Sequence, residues 1–287
     1  MGSGTSGSCD PAPKAPRAVV VPHDVAVPPA LHPYLQVPRP FVLAHRGLAL
    51  DALENSMAAF AAAVAAGVTH LETDVHATAD GVLVVFHDAR LERLTGLEGR
   101  VADVTWPTLR RARLGAERVP LLEDVLAAWP SVRVNVDLKS DAAVAPFVEL
   151  MRRTRAIDRV GVASFSDRRR RRAVAGLRCV GPIAYSLGAS RSAAVVGLAA
   201  AGAPTAVLRR ALEGAAAVQL PDRPGGLPLV TRRVVDAVHA AGAQLHVWTV
   251  DDPARMRRLL ALGVDAVVTN RADLAVPIAG ALARTEG

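Results

Sequence analysis

The chain has 287 residues, of which 51% are hydrophobic, 21% charged and only 3% aromatic. At about 150 residues per domain it holds one large domain or two small ones, which excludes a peptide hormone, a stapled miniprotein or a mostly disordered chain. The net charge is +7, but every basic residue except Lys14 and Lys139 is Arg; in an Ala-rich sequence that bias reads as coding composition, and no nucleic-acid partner is expected.

Residues 1 to 40 are rich in proline, which removes backbone donors and favours extended geometry. They read as an N-terminal extension, partly disordered and packed at best on the outside. Met1 to Ser6 fits the loose myristoylation pattern but reads as tail, and no basic-then-apolar secretory signal is visible. Cys9 and Cys179 offer no disulfide framework or cysteine metal site, so a reducing cytoplasm is the default.

From Phe41 onward, short apolar runs alternate with helical patterns, the signature of repeated βα units about a parallel sheet. Strands are expected at Phe41–His45, Thr69–His76, Val132–Lys139, Val160–Phe165, Gly181–Ser186, Ala216–Leu220, Gln244–Val250 and Ala266–Asn270. Helices are expected at Ser56–Ala66 with Asn55 as cap, Leu121–Trp129, Ala142–Arg153, Asp167–Ala175 capped by Asp167, Ser190–Ala201, Thr231–Ala241, Pro253–Leu262 and Ala272–Ala283. The longest uncharged run, Ala193 to Leu208, is too short to cross a bilayer. Gly197, Gly202 and Pro204 divide it into a helix, a turn and the start of a strand, so no stable membrane insertion is expected. Residues 41–287 thus form a (β/α)8 TIM barrel. One further strand, Val82–His87, follows the second through Asp80-Gly81; so short a turn joins only antiparallel strands, making a β-hairpin loop above the rim.

Polar residues concentrate at strand ends, where barrel enzymes assemble their sites. Glu72 and Asp74 alternate onto one face of the second strand, and Asp137 and Lys139 onto one face of the next. Three converging carboxylates repel one another unless a hard divalent cation, Mg²⁺ or Ca²⁺, is bound through their oxygens, so Glu72, Asp74 and Asp137 are the expected metal ligands. His45 and His87 end neighbouring strands and supply an acid and a base near neutral pH. Arg46 and Lys139 make a cradle for a phosphoryl group, which points to a small-molecule phosphate ester as substrate. Glu54 and Asn55 lie one loop away and either orient Arg46 and the rim or, for Asn55, cap the first helix. His70, His76 and His246 sit on strands as a possible outer layer to the site. In the run Arg168–Arg172 at least one guanidinium must lie against the barrel or pair with a carboxylate, since five consecutive arginines cover every face of a helix.

In order along residues 41 to about 275, the pieces HRG, EN-S, ETDVH, TADGVLVVFHD, VPLLEDVL, VDLK, Ser164-Phe165, Val247 to Val250 and GVDAVVTN resemble the glycerophosphodiester phosphodiesterase family. That resemblance implies hydrolysis of a glycerophosphodiester to glycerol 3-phosphate and an alcohol, through a cyclic phosphate that water opens. It implies His45 and His87 as acid and base, a divalent ion on Glu72, Asp74 and Asp137, phosphate binding by Arg46 and Lys139, and Trp248 lining the pocket. Two positions depart from the pattern: Asp137 stands where the family usually has Glu, and Ser56 where it has Thr. Asp137 keeps a phospholipase D-like alternative open, on sphingomyelin or lysophospholipids, and a non-catalytic phosphate-binding barrel is the third reading.

Overall fold

The computed structural model describes residues 32–222 and 229–284. Cys9, Lys14, the Met1–Ser6 pattern and most of the proline-rich extension lie outside them. Among the described residues nine strands form one sheet: β1 (Phe41–His45), β2 (His70–Ala77), β3 (Leu83–Val85), β4 (Arg133–Leu138), β5 (Val160–Ala163), β6 (Ala184–Tyr185), β7 (Ala217–Pro221), β8 (Gln244–Trp248) and β9 (Ala266–Thr269). Eight of them run parallel in the order β6-β5-β4-β2-β1-β9-β8-β7. Hydrogen bonds from Ala216 N to Tyr185 O (2.9 Å) and Leu187 N to Ala217 O (3.3 Å) nearly close the ends into a barrel.

β3 is the exception, antiparallel to β2 with Val75 opposite Val85. Gly81 takes the left-handed conformation that the turn demands, so the hairpin expected at Asp80-Gly81 is present. Beyond it come α2 (Glu92–Thr95) and α3 (Trp106–Leu109). They enclose a small apolar cluster of their own, built on Phe86, Leu91, Val101, Leu109 and Leu114.

The outer ring comprises α1 (Met57–Ala65), α4 (Leu122–Ala128), α5 (Val144–Thr154), α6 (Asp167–Gly176), α7 (Ala189–Ala201), α8 (Thr205–Leu212), α9 (Arg232–Ala240), α10 (Pro253–Ala261) and α11 (Ala272–Ala283). Strand residues pointing outward, among them Val42, Leu71, Val75, Val134 and Val136, join the inner faces of these helices in the main core. Three local expectations are corrected. Thr205–Leu212 is a helix and the strand begins only at Ala217; Leu208 and Leu212, one turn apart, supply its buried stripe. The caps of α1 and α6 are Ser56 and Ser166, whose hydroxyls accept from Ala59 N and Arg169 N, while Asn55 and Asp167 are used elsewhere. Among the described residues no helix is long and apolar enough to cross a membrane.

The end of the extension also differs from the expected external tail. Pro33–Leu35 form a 3-10 turn whose Tyr34 and Leu35 are buried with Phe41, Leu43, Ala184, Ala266 and Val268. Tyr34 OH lies 3.4 Å from Asn135 Oδ1 in the barrel interior. Gly161 is required beneath it, because a Cβ there would meet the Tyr34 ring at 2.7 Å. His70 and His246 belong to this floor rather than to the site above it: His70 stacks on Phe41 with ring centroids 4.4 Å apart and bonds Tyr34 O at 2.9 Å. Burial lowers the pKa of His70 to about 3 and of His246 to about 4, so both are neutral core residues.

Candidate active site

Register decides what meets at the C-terminal mouth. His45 lies opposite Glu72, Glu72 opposite Asn135, and Asp74 opposite Asp137. Interior-facing residues of β1, β2 and β4 therefore stack into one polar wall. It lines a pocket of about 470 Å³ that also includes Arg46, His87, Lys139 and Trp248. All the residues expected at the site line it except Glu54 and Asn55, which stand behind.

Lys139 reaches between two carboxylates, with Nζ 2.8 Å from Asp74 Oδ1 and 2.7 Å from Asp137 Oδ2. Arg46 is held from three sides: its backbone N donates to Glu72 Oε2 at 3.2 Å, Nη1 to Glu54 Oε1 at 2.9 Å, and Nε lies 3.1 Å from Asp74 Oδ2. Asn55 is fully buried and donates to Asp74 Oδ2 while accepting from Thr73 Oγ1. So Glu54 bonds Arg46, and Asn55 bonds Asp74 instead of capping the helix. Both Arg46 and Asn55 have left-handed backbones, rare for non-glycine residues, and are joined by Asn55 N to Arg46 O at 2.9 Å. Gly47 gives close approach to α1, not to the pocket, since a Cβ there would meet the Ala59 carbonyl carbon at 2.6 Å.

Burial, then repulsion from Asp74 and Asp137, pushes the Glu72 carboxyl well above the usual range. Asp137 is also raised, by burial first, whereas Lys139 and then Arg46 outweigh burial to keep Asp74 low. Asp137 Oδ1 is buried without a hydrogen-bond partner. Among the described residues no three His, Cys, Asp or Glu side chains stand gathered about one point as a ready-made metal centre; the Lys139 ammonium lies between two of the expected ligands. Two carboxyl groups raised by burial and an orphaned carboxylate oxygen nonetheless suit a hard divalent cation, which takes oxygen ligands and removes the cost of burying like charges.

The two histidines are set differently. His45 Nδ1 is 2.7 Å from Asn270 Oδ1, and Asn270 Nδ2 donates to Asp251 Oδ2 at 2.8 Å. Because the amide nitrogen is turned to Asp251, its oxygen faces His45 and fixes the proton on Nδ1, leaving the Nε2 lone pair free. Burial lowers the His45 pKa, which favours the neutral ring. His87 Nδ1 instead lies 2.7 Å from Asp88 Oδ1. Hydrogen bonding to Arg93 (Nε to Oδ2, 2.5 Å) holds the Asp88 carboxyl down to about 2, so it stays ionised beside the ring. Sequence reasoning missed Asn270 and Asp251, polar residues just after β9 and β8, and Arg93, which lies in α2. His76 reaches the His87 carbonyl at 3.1 Å and braces that loop.

The opposite wall is apolar, formed by Leu187, Leu220, Leu229, Phe165 and Trp248. Trp248 and Phe165 meet edge to face at 5.6 Å between centroids, and Lys139 Nζ lies 5.4 Å from the Phe165 ring. The pocket thus offers cations and carboxylates to one end of a ligand and carbon surface to the other.

Comparison with known proteins gives the family. A Mycobacterium tuberculosis protein named probable glycerophosphodiester phosphodiesterase 2 is 44% identical over 234 residues, 81% of this chain and 88% of that protein. The glycerophosphodiester phosphodiesterase of Bacillus altitudinis is 31% identical over 255 residues, covering 83% and 97%. Among solved structures, an Oleispira antarctica phosphodiesterase in complex with the product sn-glycerol-3-phosphate superimposes with a TM-score of 0.65 at 23% identity, over 84% of this chain and 96% of that one. That likeness shows the shared barrel. The sequence model of the glycerophosphoryl diester phosphodiesterase family matches residues 45–274, from the histidine that ends β1 into α11, and the chain belongs to this family of phosphoric diester hydrolases.

Proposed function

We propose that the protein hydrolyses glycerophosphodiesters to glycerol 3-phosphate and an alcohol, with His45 as general base and His87 as general acid. The carrying observation is the opposite setting of the two imidazoles: one neutral with its proton locked on Nδ1 by Asn270, the other beside an anionic carboxylate. The proton of the attacking hydroxyl goes to His45 Nε2: attack by water gives glycerol 3-phosphate directly, whereas attack by the neighbouring glycerol hydroxyl gives a cyclic phosphate that water opens with the two histidines in exchanged roles. The departing alkoxide takes a proton from His87, whose imidazolium has Asp88 as counter-charge. Arg46 carries a fixed positive charge toward the phosphoryl oxygens, held in place by Glu54. Glu72, Asp74 and Asp137 would hold a divalent cation, which supplies Lewis-acid polarisation of the phosphoryl group when bound.

Release of glycerol 3-phosphate from glycerophosphocholine and glycerophosphoethanolamine, with Mg²⁺, Ca²⁺ or Mn²⁺ added, tests the reading. His45→Ala and His87→Ala each lower the rate by about 10²–10⁴-fold. The same cations raise the melting temperature of the native protein but not of the Asp137→Asn variant. No turnover with any pairing of substrate and ion would overturn the assignment. The apolar wall around Trp248 and Phe165 also suits an acylated substrate, a lysophospholipase D-like reaction on the same site. Choline release from lysophosphatidylcholine but not from glycerophosphocholine would favour that second reading.

A further inference from the structure

A second cleft, of about 350 Å³, is lined by Arg110, Arg111, Arg113 and Arg118. All four are exposed. Some exposed arginines pair with acids, as Arg90 does with Glu92 and Arg232 with Asp236, and others stand singly, but here four line one cleft. Among the described residues these four make no ion pair, and the one side-chain hydrogen bond between them and the protein runs from Arg113 Nη1 to Ala116 O at 3.2 Å. The carboxylate of Glu117, in the same loop, is turned to α1, and four guanidinium groups without an ion-pair partner repel one another and attract an external polyanion.

The cleft sits at the catalytic end of the barrel. Glu117 in the same loop accepts from Met57 N and Ala58 N, at 3.0 and 3.1 Å, in the first turn of α1. Leu53 lies 3.3 Å from the position a Cβ on Gly115 would take, so the arginine loop packs against the loop that carries Glu54. Exposed large apolar residues gather at this end as well. Leu50, Leu53, Leu97 and Phe165 are between 37% and 57% exposed; Leu50, Leu53 and Phe165 lie on loops leaving the C-terminal ends of β1 and β5, and Leu97 follows α2, which Arg93 ties to Glu54 at 2.6 Å. Of the described residues only Val207, in α8, shares that exposure elsewhere.

We propose that the mouth of the barrel docks on an anionic lipid bilayer, with the arginine cleft on the headgroup phosphates and Leu50, Leu53 and Leu97 entering the interface. Charge selects a polyanion, and the leucines select a bilayer over a nucleic acid, which offers a charged backbone nothing apolar at its surface to cover them. A basic residue near an anionic bilayer strengthens binding by about five-fold, and exposed leucines add to it when they leave water. Docked this way, the active-site pocket opens onto the lipid surface. The contact is peripheral and needs no spanning segment.

Co-sedimentation with vesicles tests the surface independently of turnover. The native chain should bind vesicles of phosphatidylglycerol and phosphatidylcholine in equal parts, bind phosphatidylcholine vesicles far less, and detach as salt rises through the physiological range. Arg111→Glu with Arg118→Glu should weaken binding at least about twenty-fold. Arg209→Glu with Arg210→Glu alters net charge equally on α8, where Arg209 bonds Ala240 O at the far end of α9, and should change binding little. Leu50→Ser with Leu97→Ser should weaken it several-fold. Unchanged melting temperature and unchanged hydrolysis of a soluble diester verify that each variant is folded. No binding by the native chain, equal loss in the two charge-reversed variants, or capture of duplex DNA in place of vesicles would overturn the proposal.

Discussion

His45 owes its orientation to a residue 225 positions away. Asn270 holds its Nδ1 proton, and Asp251 in turn fixes which way the Asn270 amide points, through both Asn270 N (2.8 Å) and Nδ2 (2.8 Å). Asn270→Ala should lower kcat/KM by about 10²-fold, because the base loses its tautomer and aim. Asn270→Asp has a signed effect. Burial keeps the native His45 pKa below its ordinary value, which favours the neutral base. An anionic acceptor would favour the imidazolium and move the acid limb of the kcat/KM profile to higher pH, which a pH–rate series measures. Much at this scale was legible beforehand: alternation put Glu72, Asp74 and Asp137 on one face of two neighbouring strands. What periodicity cannot reveal is a partner across the barrel seam, which is why Asn270 and Asp251 escaped notice, or a left-handed backbone, which is why Asn55 looked like a helix cap.

The arginine run on α6 shows how one element is tied to its neighbours. Arg170 is 2% exposed and donates to Asp167 Oδ1 (3.3 Å) and Glu213 Oε2 (2.9 Å) while lying over the Tyr185 ring. Asp167 goes on to accept from Gly188 N and Ser190 Oγ at the start of α7, and Glu213 accepts from Arg191. Removing the buried cation leaves a gap over Tyr185 and takes one partner each from Asp167 and Glu213, which keep their others, so Arg170→Ala should cost about 2–3 kcal/mol in urea unfolding, whereas the exposed Arg168→Ala should be close to neutral. The reasoning that five consecutive arginines must place one inward was sound, since helical geometry leaves no alternative. The strand expected before Leu208 failed for a related reason: an Ala- and Val-rich run is compatible with either period. The two leucines spaced four apart, with Arg209 and Arg210 between them, decide for helix.

At the scale of the whole molecule, the eight βα units and the hairpin were readable because turn glycines and strand runs recur in order, whereas the floor of the barrel was not. Asp265 anchors that floor. Its carboxylate accepts from Arg39 Nη1 (2.8 Å), His239 Nε2 (2.6 Å) and Leu245 N (2.8 Å). Burial alone would raise its pKa, but the bonds from His239, Leu245 and Arg39 outweigh burial and lower it. A carboxylate depressed in the folded state stabilises above its unfolded value of about 3.9 and loses that contribution as pH falls through the folded value. Asp265→Asn should therefore cost about 2 kcal/mol at neutral pH, a difference that shrinks toward zero in acid melts.

The ring of Tyr34 fills space that Gly161 leaves open, seven residues before the first strand begins at Phe41. The autonomous folding unit is accordingly longer than its catalytic signature. A chimaera or deletion series that cuts at the first strand would remove the stopper from the barrel's base, and truncations intended to trim only a tail should spare Pro33 to Pro40.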